Sequence, residues 1–218
     1  MKPGDASPLH YSAPIIAFGL VTFIEGWVPS GWYPAVYALK MAAVTAALAI
    51  FREPLRDIRW NASVVLPSVA IGVMLVALWI GIDTRVSYPH VGRRVGFDPA
   101  TIEDGAWRLV FLAVRLYGLV IVVPVMEELF WRSFVLRYAT RADFESLPIG
   151  TFSSTALVIM IGVSALSHPE WLVAAIASAV LALWLKQTRS LLAVIVAHAT
   201  ANAALGVYVL GTEEWKYW

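Results

Sequence analysis

Residues 191–210 read LLAVIVAHATANAALGVYVL, twenty consecutive positions without an Asp, Glu, Lys or Arg. A helix that crosses a bilayer core about 30 Å thick needs roughly 20 mostly apolar residues, so this stretch sets the solvent for the chain. Six further segments qualify or nearly qualify: 14–28, 33–51, 63–82, 107–138 (long, with charges), 153–167 and 171–185. The two short ones, 153–167 and 171–185, are joined by a tight turn at His168-Pro169-Glu170. The expected fold is therefore all-α: a polytopic membrane helical bundle of about seven (seven or eight) transmembrane helices, one domain over residues 1–218. No repeat of 20–50 residues and no pair of broken helices is visible, which disfavours a transporter.

Composition agrees. Of the 218 residues 60% are hydrophobic and 14% charged, with mean hydropathy +0.73; a soluble domain carries about 25% charged residues. The net charge of +1 argues against nucleic acid as a partner. The absence of Cys excludes disulfides, thiolate metal sites and a cysteine nucleophile. The opening MKPGDASPLHYSAP lacks the features of a secretory signal, so the first apolar segment is expected to stay. Trp27, Trp32, Trp60, Trp107, Trp171, Trp184 and Trp215 stand near segment ends, as interfacial belts require, whereas Trp79 and Trp131 sit deeper as packing residues.

Lys2, Arg52, Arg56, Arg59, Arg137, Arg141, Lys186 and Arg189 fall on one side of the bundle; Arg85, Arg93, Arg94 and Lys216 fall on the other. Eight against four places the N-terminus in the cytoplasm of a bacterial inner (plasma) membrane. The loop 83–105 then faces outward as a solvated loop, and Asp143 and Glu145 read as a solvated cytoplasmic one. Asn61-Ala62-Ser63 matches a glycosylation sequon by chance.

Ionisable groups inside a bilayer are costly and default to functional hypotheses. Residues 121–132 read IVVPVMEELFWR. Adjacent carboxylates on a helix point about 100° apart. Glu128 and Arg132 can pair at i, i+4, which leaves Glu127 without a local partner. The bland alternative, a helix end with a surface salt bridge, conflicts with the apolar run that continues through Phe134, Val135 and Leu136. His168 closes the fifth segment, where a lone His is ordinarily interfacial. His198 and Asn202 share one face of the last helix among five alanines; they could merely glue two helices or line a cavity. At 1.5 Å per residue His198 lies roughly 11–14 Å from the start of its helix, and Asn202 lies one turn deeper. By the same rise Glu127 lies roughly 16 Å in from Tyr138 and His168 roughly 22 Å along its segment. Groups on three helices thus share one level. Glu25 and Lys40 read as a buried pair fixing helix register, and Arg115 carries no assigned role.

In order and spacing, Glu-Glu-x-x-x-Arg, then a His ending the next helix, then His-x-x-x-Asn two helices on, the chain resembles the CAAX-protease and bacteriocin-processing family of intramembrane peptidases over about residues 121–206. The resemblance implies a helical membrane fold with a central polar cavity inside the bundle and a peptide or membrane-protein substrate. It further implies that Glu127 and His168 activate a water, that His198 and Asn202 stabilise the oxyanion, and that Glu128 and Arg132 support them, with no cofactor. Where the family usually has Phe four residues before the second-motif His, this chain has Ser164, which puts the pocket wall beside His168 in doubt. The compact length and Trp-rich ends are similar to the subgroup found with exosortases, which implies an exosortase-type sorting system as partner.

Three alternatives use the same residues differently. Glu127, His168 and His198 could be three ligands of a Zn²⁺ ion with an open fourth position, although the soluble-zincin motif is absent. Ser164 in Gly162-Val163-Ser164-Ala165 could be a nucleophile with His198 as base, but the second glycine of a nucleophile turn is missing. The protein could also be a non-catalytic membrane partner in immunity or a sorting complex.

Overall fold

The computed structural model describes residues 7–92 and 96–218; Lys2, Arg93 and Arg94 of the charge count lie outside the described residues. Among these there is no strand, and seven apolar helical stretches follow one another: α1 (Pro8–Glu25), α2 (Tyr33–Ile50), α3 (Val65–Arg85), α4 (Gly105–Tyr138), α5 (Ser154–Leu166), α6 (Trp171–Thr188) and α7 (Leu191–Thr212). Each falls on one of the apolar segments of the sequence. Five of them, α2, α3, α4, α6 and α7, are long and apolar enough to cross a bilayer, while α5 is a shorter apolar helix. The chain is an integral membrane protein. Leucines and valines such as Leu66, Leu109, Val158 and Val207 face outward; in lipid, that outer apolar surface is the solvated one.

The helix bounds differ from the hydropathy reading for local reasons. The first helix begins at Pro8 rather than at 14, because proline's fixed φ and missing N–H suit a first helical turn. The third runs on to Arg85, beyond 82, and carries Asp83 with it.

Successive helices alternate in direction, so connections gather at two ends. At one end Asp57, between α2 and α3, accepts from Tyr11 of α1 (2.9 Å) and from Arg137 of α4 (2.9 Å). There too, Arg189 after α6 donates to Thr151 before α5 (2.7 Å). At the other end the Val91 N–H reaches the Pro169 carbonyl (3.1 Å) and Trp171 Nε1 that of Pro89 (2.8 Å). Helices α3 and α7 pack closely at Gly72. A Cβ at Gly72 would overlap the Ala197 carbonyl and Thr200, so only glycine lets α3 approach within one turn of His198.

Three expectations change. Trp184 is not interfacial: its indole donates to Ser68 of α3 (3.0 Å). Glu145 is not merely solvated, since it pairs with Arg56. Asp83, read as opening a solvated loop, has a side chain only 3% exposed. It accepts from Tyr217 and Tyr88 and pairs with His90 (3.0 Å) and Lys216 (3.6 Å), pinning the C-terminal turn Trp215–Tyr217 to α3. A buried carboxylate gathers donors because an unpaired one is too costly.

Burial, and then the Asp83 charge, push the Tyr88 hydroxyl from 10.0 up to about 12. Since the folded value is the higher, the Tyr88 proton favours folding below about pH 10 and that contribution is lost as pH rises through about 12. Asp83→Asn removes the charge but not the burial. The Tyr88 titration, followed by NMR of ring-labelled protein, is expected to fall part of the way toward 10.0; an unmoved titration would mean that the carboxylate does not act on it.

Candidate active site

A cavity of about 860 Å³ opens inside the bundle and receives side chains from all seven helices. Glu127 of α4, His168 at the end of α5, and His198 and Asn202 of α7 all line it, as does Arg132. The structure thus brings the four sequence candidates to one space.

The carboxylates owe their positions to irregularities in α4. Two wide π-helical stretches, Gly118–Val122 and Leu129–Val135, flank the single α-helical piece Val123–Glu128. Such widened turns inside a helix are frequent at functional sites. In the first of them the Val123 N–H reaches back five residues to the Gly118 carbonyl. The next donor in that pattern would belong to Pro124, which has none, so the Leu119 carbonyl is orphaned. Asn202 Nδ2 fills the place at 2.8 Å. Asn202 therefore knits α7 to α4 at Leu119, and one of its two amide hydrogens is committed to doing so.

Glu128 turns away from the cavity and is fully buried. Its Oε1 accepts from Arg132 Nη1 (3.1 Å), as the i, i+4 spacing leads one to expect, and also from His198 Nδ1 (2.8 Å), which the sequence did not show. A carboxylate only accepts, so His198 carries a hydrogen on Nδ1 and its Nε2 is the nitrogen left for the cavity. The same logic fixes His168. Its Nδ1 meets the Ser164 carbonyl at 2.9 Å, so Nδ1 donates and Nε2 is left as an acceptor when the ring is neutral. Ser164 takes part through its backbone. The aromatic contact to the His168 ring comes from Trp79 of α3, edge-on at 5.9 Å between centroids.

The serine-nucleophile arrangement is not built: among the described residues no hydrogen bond joins Ser164 to His198, whose Nδ1 is held by Glu128, and Ser164 meets His168 through its backbone carbonyl. The three-ligand zinc arrangement finds no fit either. Among the described residues no three His, Asp or Glu side chains are grouped as a metal would need. His198 is turned toward Glu128 through Nδ1, and His168 stands just beyond the end of α5.

Two features of the cavity went unread in the sequence. The expected Glu25–Lys40 pair forms at 2.5 Å, but within the wall of this same cavity. Arg115, given no role, is 7% exposed and also lines it. Its signal was present: a lone cation in an apolar run, with no carboxylate three or four positions away.

Residues 106–204 match the family model described as type II CAAX prenyl endopeptidase, Rce1-like. The match spans somewhat under half of the chain, from the start of α4 into α7, and contains all four cavity-lining candidates. It agrees with the CAAX-protease family to which the motif order is similar; at the level of that family the activity is proteolytic, an intramembrane endopeptidase. No curated protein and no solved structure matches the chain.

Proposed function

We propose that this chain cleaves a peptide bond of a membrane-embedded peptide or protein with a water activated by Glu127 and His168, without a metal. The observation that supports it most is the convergence of Glu127, His168, His198 and Asn202 from three helices on one cavity. The Glu127 carboxylate takes a proton from the water while His168 Nε2 accepts the other hydrogen and orients the oxygen. The oxygen attacks the carbonyl carbon. His198, protonated on both nitrogens with Glu128 behind it, donates from Nε2 to the developing oxyanion, and the second amide hydrogen of Asn202 adds to it. When the C–N bond breaks, Glu127 returns its proton to the departing amine. General acid–base catalysis contributes about 10²–10⁴-fold, and one oxyanion donor about 10²–10³-fold. Glu128 and Arg132 are positioning residues that hold His198. The eight-to-four charge count supports an N-terminus on the cytoplasmic side.

The test is cleavage of a membrane-embedded peptide by the purified protein in nanodiscs. Activity is expected to survive exhaustive treatment with 1,10-phenanthroline. Loss on chelation, with return on adding zinc, would replace this route by a metal-dependent one.

A further inference from the structure

We propose that Arg115 forms a carboxylate-binding subsite in this cavity, which holds one carboxylate of the peptide substrate about five residues from the bond that is cut. The proposal rests on the proteolytic reading above and adds a specificity determinant to it.

The argument begins with charge. Lys40 is neutralised by Glu25 at 2.5 Å, and no carboxylate among the described residues pairs with Arg115. A guanidinium more than nine-tenths buried, inside a membrane helix, is left as the net cation of that part of the cavity. Three rings surround it, Tyr37, Trp218 and Tyr33, at 4.5, 5.6 and 6.0 Å from Cζ. Cation–π contacts supply part of what burial removes, but they do not occupy N–H donors.

The donors show which ligand fits. Nη1 is spent on the Tyr33 hydroxyl at 2.8 Å, and Nε has no partner among the described residues. Nε is thus buried and unsatisfied, and Nη2 makes no hydrogen bond among the described residues. Together they form the edge of the guanidinium left without an acceptor, the fork that takes the two oxygens of a carboxylate once that edge turns to the cavity. Twelve positions separate Arg115 from Glu127 along α4, a rise of about 18 Å. An extended peptide covers that distance in about five residues. The carboxylate can belong to the peptide's C-terminus or to an Asp or Glu side chain; both offer the same two oxygens.

The test uses the full chain in nanodiscs carrying Glu127→Gln, so that binding is read without cleavage. The probes are fluorescent alanine–leucine peptides of about ten residues, long enough for the span. One has a free C-terminal carboxylate, one is amidated, and one is amidated with a Glu near its end. The free-carboxylate or the Glu-bearing peptide is expected to bind at least about tenfold tighter than the neutral one, the size of a charge-assisted hydrogen bond. Which of the two does so identifies the source. Arg115→Gln should erase the preference and Arg115→Lys should recover part of it. Equal binding of all three peptides to the parent overturns the subsite without needing a variant, and so does a preference that persists in Arg115→Gln. Displacement of every peptide alike by added phosphatidylglycerol also overturns it, in favour of a lipid phosphate. Because binding is measured without cleavage, an Arg115-dependent preference in a protein that never cuts would leave the subsite standing and sink the proteolytic reading.

Discussion

Glu127→Gln is expected to lower cleavage by about 10²–10⁴-fold while leaving the protein folded. The amide keeps the shape of the carboxylate and can still touch a water, but it cannot take that water's proton or return one to the amine. Glu127 lines the cavity and is only partly buried, and among the described residues it forms no ion pair. Its replacement therefore removes little that holds the helices together, and the thermal midpoint should move by no more than a few degrees. The comparison with His168→Gln is informative. His168 orients the water in this scheme but does not receive the proton, so its loss should cost less than that of Glu127. Undiminished cleavage by Glu127→Gln would defeat the mechanism. If Glu127→Ala instead kept full cellular function in a folded, assembled protein, the non-catalytic membrane-partner reading would take its place.

How much of this was legible in the sequence depended on the kind of signal. Apolar length located all seven helices, because in a bilayer the backbone must close its hydrogen bonds within each segment. Rise per residue is nearly fixed, so positions along those helices put Glu127, His168, His198 and Asn202 at similar depths in the sequence reading, and all four line one cavity. Azimuth was another matter. The assumption of ideal turns gave Glu128 to Arg132 alone; the π-helical stretches on either side of Val123–Glu128 reset the register and bring His198 to the same oxygen. Nothing in hydropathy signals a π turn, although Pro124 marked where an orphaned carbonyl would need Asn202. Asp83 was misread because a charge near the end of an apolar run looks like the beginning of a loop. Only the return of Tyr217 and Lys216, over a hundred residues later, gives that charge a reason to be buried. Long-range partners of this kind leave no local mark in a single sequence.

Glu128→Ala is expected to be the most destabilising single substitution at the site, and the way it fails separates structure from function. Glu128 is fully buried, and one of its oxygens serves both Arg132 and His198. Truncating it leaves the Arg132 guanidinium, itself 5% exposed, without a counter-charge in a low-dielectric interior. Breaking one side of such a pair costs about 3–5 kcal/mol, enough to lower yield and the thermal midpoint sharply. That loss alone would also abolish cleavage and so reveals nothing about mechanism. The double variant Glu128→Leu with Arg132→Met resolves the ambiguity. Replacing both charges by apolar groups of similar volume is often neutral or stabilising, so stability should largely return. Activity should not. His198 no longer has a carboxylate behind Nδ1 to fix its orientation and support its protonated form, and the loss should approach that of an oxyanion donor, about 10²–10³-fold in kcat. KM should change less than kcat, because Glu128 faces away from the cavity where substrate binds and Arg132→Met keeps an unbranched side chain in the wall that Arg132 forms. A double variant that recovers both stability and kcat would show that Glu128 serves only to neutralise Arg132, and would remove His198 from the oxyanion role.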